Sequence, residues 1–444
     1  MTDTVKTGLD YGCGKISRLF SKIFFPTLLG MVFNALLTIT DGVIVGQGVG
    51  PDGIAAVNII APLFMVATGF GLMFGIGAAV MAGICLAQND VRRANIAMTH
   101  AFTFSLAAMV VIITAGVLFT DETAHALGSS ERLIGKTTDY LFWLMPGILF
   151  LTFQSIGMMV IRLDGSPTYA MLCNIIPAVI NGILDFIFVF PLDMGVEGAS
   201  IATSISTIIG GLMAVTYFFR FSYVLRFVFS LANIGRNFIN QVKIGSSAFV
   251  TEIAMSIMML TGNHVFMSTW REAGVAAYSI ACYLFPLIFM INNAVAQSAQ
   301  PIISYNYGAG NTARVWTSLR VSVAAAIICG TIASCGIGFG AHSIAGLFID
   351  PDCEAARLAT QGLPIFSSCA IFFALNISFI GFYQSTKQAL RAIVLTLLRG
   401  IILLVPLFFI MPRIFPDYGP WAAIPCSEIL TFAITVLSFR RRLP

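Results

Sequence analysis

Gly53-Ile54-Ala55-Ala56-Val57-Asn58-Ile59 returns, altered but recognisable, 221 positions later as Gly274-Val275-Ala276-Ala277-Tyr278-Ser279-Ile280. A motif that recurs once, half a chain length away, points to internal duplication. Each copy opens a long apolar run. About 20 such residues cross a hydrocarbon core of ~30 Å, and twelve runs qualify. They fall roughly at 23–46, 54–86, 97–119, 136–161, 168–190 and 196–219, then 244–268, 275–303, 318–341, 358–384, 388–411 and 419–439. Six spans per copy give both halves the same orientation. A parallel repeat of that kind is related by an axis along the membrane normal. The expected fold is therefore an all-α polytopic membrane protein of twelve transmembrane helices in two pseudo-symmetric six-helix lobes. The first lobe covers 1–219, a connector covers 220–243, and the second lobe covers 244–444.

Composition agrees with a chain that lives in lipid. Of 444 residues, 58% are hydrophobic and 10% are charged, against about 25% charged in soluble domains. The first 22 residues carry Lys6, Lys15, Arg18 and Lys22. They lack the apolar core and cleavage site of a removable signal and read as a cytoplasmic tail. With that tail inside, the even loops and both tails hold eighteen of the 24 basic residues, Arg440-Arg441-Arg442 among them. The odd loops hold Arg132, Lys136, Arg271, Arg357 and Arg413, and Arg399 is left within a span. The positive-inside rule then sets both termini in the cytoplasm. The basic connector, with Phe and Tyr interleaved, lies along the membrane surface or serves as a solvated linker.

Several function classes drop out. The nine cysteines are scattered with no C-x-x-C pair, and the four histidines show no zinc spacing. A Walker A loop is absent, so an ion gradient is the natural energy source. The glycines Gly71-x-x-x-Gly75 lie inside a span and suit close helix packing. No nucleophile–base constellation appears at one depth, so the chain is not expected to be an enzyme, to need a cofactor or to bind nucleic acid.

Four carboxylates fall inside spans: Asp41, Asp185, Glu252 and Glu428. A charge at bilayer depth costs about 2.5–3.5 kcal/mol on insertion scales, so it marks function or a partner. Arg399 and Glu428 both reach mid-membrane on consecutive antiparallel spans and are expected to form a structural ion pair. The lobes are unequal. At the repeat offset Asp41 corresponds to Gly262, while Asn181-Gly182-Ile183 matches Arg399-Gly400-Ile401, which pairs Asp185 with Leu403.

Three segments resemble the MATE family of multidrug exporters. They are Asp41-Gly42-Val43-Ile44-Val45-Gly46-Gln47-Gly48-Val49-Gly50, the stretch from Arg162-Leu163-Asp164-Gly165-Ser166-Pro167 through Asn181-Gly182-Ile183-Leu184-Asp185 to Gly195–Thr203, and Gln300-Pro301 through Tyr307-Gly308-Ala309-Gly310. The resemblance implies two six-helix lobes around a V-shaped cavity. It also implies export of cationic, often aromatic, compounds in exchange for H⁺ or Na⁺. It carries a first-lobe cation site onto Asp41, Asn181, Asp185 and Thr203. Some members bear an acid in helix 10, where this chain has only Asn376 and Ser378; their helix-7 glutamate falls near Glu252.

The spacing bears on the same residues. Asp41 and Asp185 each lie about five residues from the outer ends of their spans, ~7–8 Å deep at a rise of ~1.5 Å per residue. Asn181 and Asp185 are i and i+4 and share a helical face, as Asn34, Thr38 and Asp41 do. Carboxylate, amide and hydroxyl oxygens at one depth suit Na⁺; two carboxylates could instead share a proton. Asn34, Thr38, Asp41 and Glu252 are candidates for contacting a cationic substrate. The expectation is a H⁺- or Na⁺-coupled antiporter of cationic drugs, acting by rocker-switch alternating access. It would be a monomer without an obligate protein partner, multi-pass in a bacterial-type inner membrane. A lipid-linked precursor flippase of the same superfamily is the alternative.

Overall fold

The computed structural model describes residues 8–349 and 353–440, without the side chains of residues 37, 38, 51, 439 and 440. Lys6, Arg441, Arg442 and the Thr38 side chain thus lie outside the described residues. Among those described, every regular element is helical. Long apolar helices satisfy their own backbone polar groups, which lipid cannot do.

The first elements are α1 (Ile16–Gly48), α2 (Pro51–Ala87), α3 (Val91–Leu118), the short α4 (Thr120–Ala126), α5 (Ile134–Asp164), α6 (Pro167–Val189) and α7 (Gly195–Arg220). Next comes α8 (Ile234–Gly308), 75 residues in one run. At ~1.5 Å per residue that is over 100 Å, several times the thickness of a bilayer core. It breaks at Trp270 (φ −127°, ψ 16°) and Arg271 (φ 54°, ψ −141°). Gly274 allows the turn, because a Cβ there would come within 2.7 Å of the Phe266 carbonyl oxygen. The chain then continues through α9 (Thr312–Phe348), α10 (Glu354–Ser367), α11 (Cys369–Ser385), α12 (Ala389–Leu397), a π-helical turn Leu398–Ile402, α13 (Leu404–Ile414) and α14 (Gly419–Arg440). Eleven of the helical runs are long and apolar enough to cross a membrane, and the break in α8 makes two spans of one. The short α4 falls where the sequence suggested only a loop.

The chain separates into two compact units. One runs to Phe249 and takes back Ser304–Thr312; the other comprises Val250–Ile303 and everything from Ala313 onward.

In the first unit, missing side chains bring backbones together. A Cβ on Gly71 or Gly75 of α2 would meet α5 at Ser155 (2.7 Å) or Ile156 (3.0 Å). Gly147 of α5 lies 2.8 Å from the Ser204 Cα, and Gly211 of α7 lies 2.5 Å from the Phe150 carbonyl oxygen, measured from the same Cβ position. Small residues of this kind let membrane helices approach where lipid offers no hydrophobic driving force. The result is an α2–α5–α7 core, with Ile60, Leu141, Leu144 and Ile148 buried beside the candidate site.

Residues 221–233 of the connector are held to this unit by specific bonds. The fully buried Asp164 carboxylate accepts from the Tyr217 hydroxyl (2.8 Å) and from the backbone N–H of Tyr223 (2.7 Å), Val224 (3.0 Å) and Leu225 (2.9 Å). Further along, the Arg226 N–H donates to Asn95 Oδ1 and the Val228 N–H to Thr99 Oγ1, both on α3. This part of the connector is a strap laid on the unit; a solvated linker does not describe it.

In the second unit, α14 packs on α10, α11 and α13. Gly362 of α10 admits the Trp421 indole against its backbone, and Trp421 is buried. This packing sets α14 beside the π-helical turn that carries Arg399.

Candidate functional site

The site in the first unit follows from the register of α1 and α6. Gly30 of α1 lies against Met171 of α6, and eighteen residues later Gly48 lies against Val189, eighteen beyond Met171. Equal intervals mean that the two helices run parallel and in step. Asp41 is then level with Gly182, between Asn181 and Asp185. The Asp41 and Asp185 carboxyl groups meet within hydrogen-bonding reach. Asn181 Nδ2 donates to Asp185 Oδ2 at 2.7 Å, along the i, i+4 face. Asp185 is 0% exposed and Asp41 is half-buried. Their Oδ1 atoms are both buried, and no donor among the described residues serves either of them.

Two carboxyl groups in contact repel when both are ionised, so a proton or a cation held between them relieves the pair. Hard cations take oxygen ligands, and two carboxylates, the Asn181 amide oxygen and a hydroxyl form a donor set of that kind. No cluster of three or more His, Cys, Asp or Glu occurs among the described residues.

Thr203 joins the group through a residue that the sequence reading passed over. Tyr140, buried near the start of α5, lies beside the Thr203 side chain and close to Asp41 and Asp185. The Thr203 hydroxyl donates to the Ala199 carbonyl (3.0 Å). Ser200 fixes the start of α5 by donating to the Tyr140 carbonyl at 2.6 Å. The site thus draws on α1, α5, α6 and α7. A tyrosine near a span end reads as one more member of an interfacial aromatic belt. Only its depth beside Thr203 could have singled it out.

The remaining candidates are placed separately. Asn34 is half-buried on α1, two turns before Asp41. Glu252 lies in the second unit, 8% exposed, with no hydrogen bond to its carboxylate among the described residues. Arg399 meets Glu428 in the same unit through Nη2 at 2.7 Å and Nε at 3.0 Å, both to Oε1. The side chains are 7% and 4% exposed. Asn376 of α11 donates to Glu428 Oε2 at 2.7 Å, and the guanidinium lies over the Phe373 ring at 4.1 Å. The position 262 that corresponds to Asp41 has no room for an acid, because a Cβ there would meet the Tyr278 hydroxyl.

The MatE family profile matches residues 26–187 and, separately, 247–410, one match on each side of the connector. The multidrug export protein MepA of Staphylococcus saprophyticus is 24% identical over 419 residues, covering 94% of this chain and 92% of its own. MepA of Staphylococcus haemolyticus is 26% identical with the same coverage. A solved structure described as the outward-facing conformation of a multidrug resistance MATE family transporter of the MOP superfamily superposes with a TM-score of 0.92. It is 21% identical and covers 99% of this chain and 98% of that one. A MOP superfamily transporter from Pyrococcus furiosus, for which a reversed polarity of the binding pocket is described, gives 0.90 at 22% identity, covering 99% of this chain and 98% of its own. At that identity the structural likeness speaks for the fold.

Proposed function

The chain belongs to the MatE family, and from that premise we propose that it is a secondary active multidrug exporter, exchanging cationic and often aromatic compounds for H⁺ or Na⁺. The observation that carries this reading is the Asp41–Asp185 contact: two carboxyl groups from different spans, each with a buried oxygen that no donor among the described residues serves. A chain keeps such a pair in lipid mainly where it binds something.

The mechanism follows from charge. Facing outward, the pair takes up H⁺ or Na⁺, loses its attraction for a cationic substrate and releases it. Facing inward, it gives up the ion and regains negative charge for the next substrate. One negative site that serves either cation in turn produces exchange, with rocker-switch alternating access carrying the site from side to side. Asn181 and Thr203 supply oxygens to the ion. Asn34, Thr38 and Glu252 contact the substrate, and Arg399–Glu428 is a structural pair. The positive-inside asymmetry supports both termini in the cytoplasm, and the family resemblance supports a bacterial inner membrane, with the chain acting as a monomer.

The test is reconstitution in liposomes with a fluorescent cationic dye, under a proton gradient or a sodium gradient. Dye movement should follow one of the two gradients and fall at least tenfold in both Asp41→Asn and Asp185→Asn. Full gradient-driven movement in both variants would remove the carboxyl pair from the mechanism. No movement under either gradient would remove the drug-export reading itself.

A further inference from the structure

The second unit carries an open groove of about 560 Å³, lined by none of the residues assigned to the exchange cycle. Trp316, Arg320, Val323, Ala324 and Ile327 of α9 line it, with Phe379 of α11 as the opposite wall. Its shape follows from how the two helices diverge. At Gly330 they touch, since a Cβ there would lie 2.7 Å from the Ile371 Cα. Near the start of α9 the gap is closed again, by Trp316 against Phe382 with ring centroids 5.7 Å apart. Between these contacts the helices part. Trp316, Arg320, Val323 and Ile327 follow a helical stripe, so the opening runs lengthwise along α9.

Depth and chemistry single out an occupant. With 37 residues, α9 is ~55 Å long, roughly 25 Å more than the hydrocarbon core. Centred, it extends about 12 Å beyond the core at each end. Arg320 lies eight residues into α9, again ~12 Å, which puts its Cα at the boundary where an arginine reaches the headgroup layer. Trp316, one turn nearer the end, falls where tryptophans collect. Deeper in, the lining is apolar, and it continues into exposed Ile327, Ile328 and Ile332, a surface suited to lipid. The exposed Arg320 has no ion-pair partner among the described residues. A guanidinium at the boundary above an apolar slot matches one ligand chemistry: a phosphodiester with a long hydrocarbon tail. Guanidinium and phosphate pair through parallel charge-assisted hydrogen bonds.

We infer that this groove binds a glycerophospholipid from the leaflet on the side where α9 begins, with its phosphate on Arg320 and one acyl chain lying along Val323, Ala324, Ile327 and Phe379. A second copy of the chain is the rival occupant, but it would have to bring an acid to a boundary arginine and an apolar ridge to a slot open to lipid. The inference does not depend on what the protein transports.

The experiment is native mass spectrometry of the full-length chain in detergent, titrated with phosphatidylglycerol and, in parallel, with diacylglycerol of the same chains. The unmodified protein should retain one tightly held phosphatidylglycerol. A basic residue near an anionic surface is worth ~1 kcal/mol, so Arg320→Gln should bind about fivefold more weakly, with Arg320→Lys in between. Ala324→Trp fills the slot without touching the charge and should weaken binding at least as much. Diacylglycerol should bind the unmodified protein no better than phosphatidylglycerol binds Arg320→Gln. Wild-type affinity in both Arg320→Gln and Ala324→Trp would overturn the site. Equal binding of the two lipids would overturn the role given to the phosphate. A lipid-free dimer abolished by Ala324→Trp would assign the groove to a second copy.

Discussion

Asp41 and Asp185 sit on different spans and meet because α1 and α6 run in step. The four-residue spacing of Asn181 and Asp185 was readable in the sequence, because a helix turns that interval into a shared face. The meeting of Asp41 with them was readable only as equal depth, since depth says nothing about which spans are neighbours. Tyr140 was readable only through its depth beside Thr203. It is aromatic in an aromatic-rich chain, and its partner Thr203 lies on another span. Its hydroxyl lies beside Thr203 and the carboxyl pair, where one polar interaction with the bound ion or its ligands would contribute about 0.5–1.5 kcal/mol. Tyr140→Phe should therefore weaken the apparent affinity for the coupling ion by roughly twofold to twelvefold, with yield and melting temperature little changed. Dye export titrated against the coupling ion provides the measurement; an unaltered ion dependence would confine Tyr140 to packing.

Among the elements, the π-helical turn Leu398–Ile402 shows how local geometry serves a buried charge. The Leu403 N–H reaches back five residues to the Leu398 carbonyl at 2.9 Å, and the Ser427 hydroxyl of α14 donates to the Arg399 carbonyl at 2.8 Å. Bulges of this type are rare and collect where a helix has a task besides spanning. Here the turn belongs to the segment that presents Arg399 to Glu428 and Phe373. Leaving one partner of a buried pair alone costs about 3–5 kcal/mol, while replacing both with apolar residues is often neutral. Arg399→Leu should accordingly depress thermal stability severely, and Arg399→Leu with Glu428→Leu should restore most of it. Melting in detergent by fluorescence-detected size exclusion compares the two; equal losses would show that the charges do not depend on each other. The sequence disclosed the pair through its cost in lipid. It could not disclose the π turn, the break at Trp270–Arg271 or the short α4, because each depends on backbone geometry that apolar composition does not encode.

Across the whole molecule, duplication governs architecture while chemistry is distributed unequally. Hydropathy and the repeat were enough to count the spans, since length and polarity alone decide what crosses a bilayer. They could not show that the strap returns to the first unit, because its bonds are made by backbone N–H groups, which every residue has. Orientation is open to direct measurement. In a background with the exposed Cys13 and Cys335 replaced by Ser, Asn89→Cys should resist a membrane-impermeant thiol reagent on intact cells, and Asp193→Cys should react; the reverse pattern would invert the topology. The strap also imposes a schedule on synthesis. Asp164 leaves the ribosome about 60 residues ahead of the three N–H groups that will hold it. At ~5–20 residues per second that interval lasts ~3–12 s. During it the fifth and sixth spans, α6 and α7, are made, and when the sixth is complete the Asp164 carboxyl group still has three donors to come, so the first half is finished by the opening residues of the chain that leads to the second.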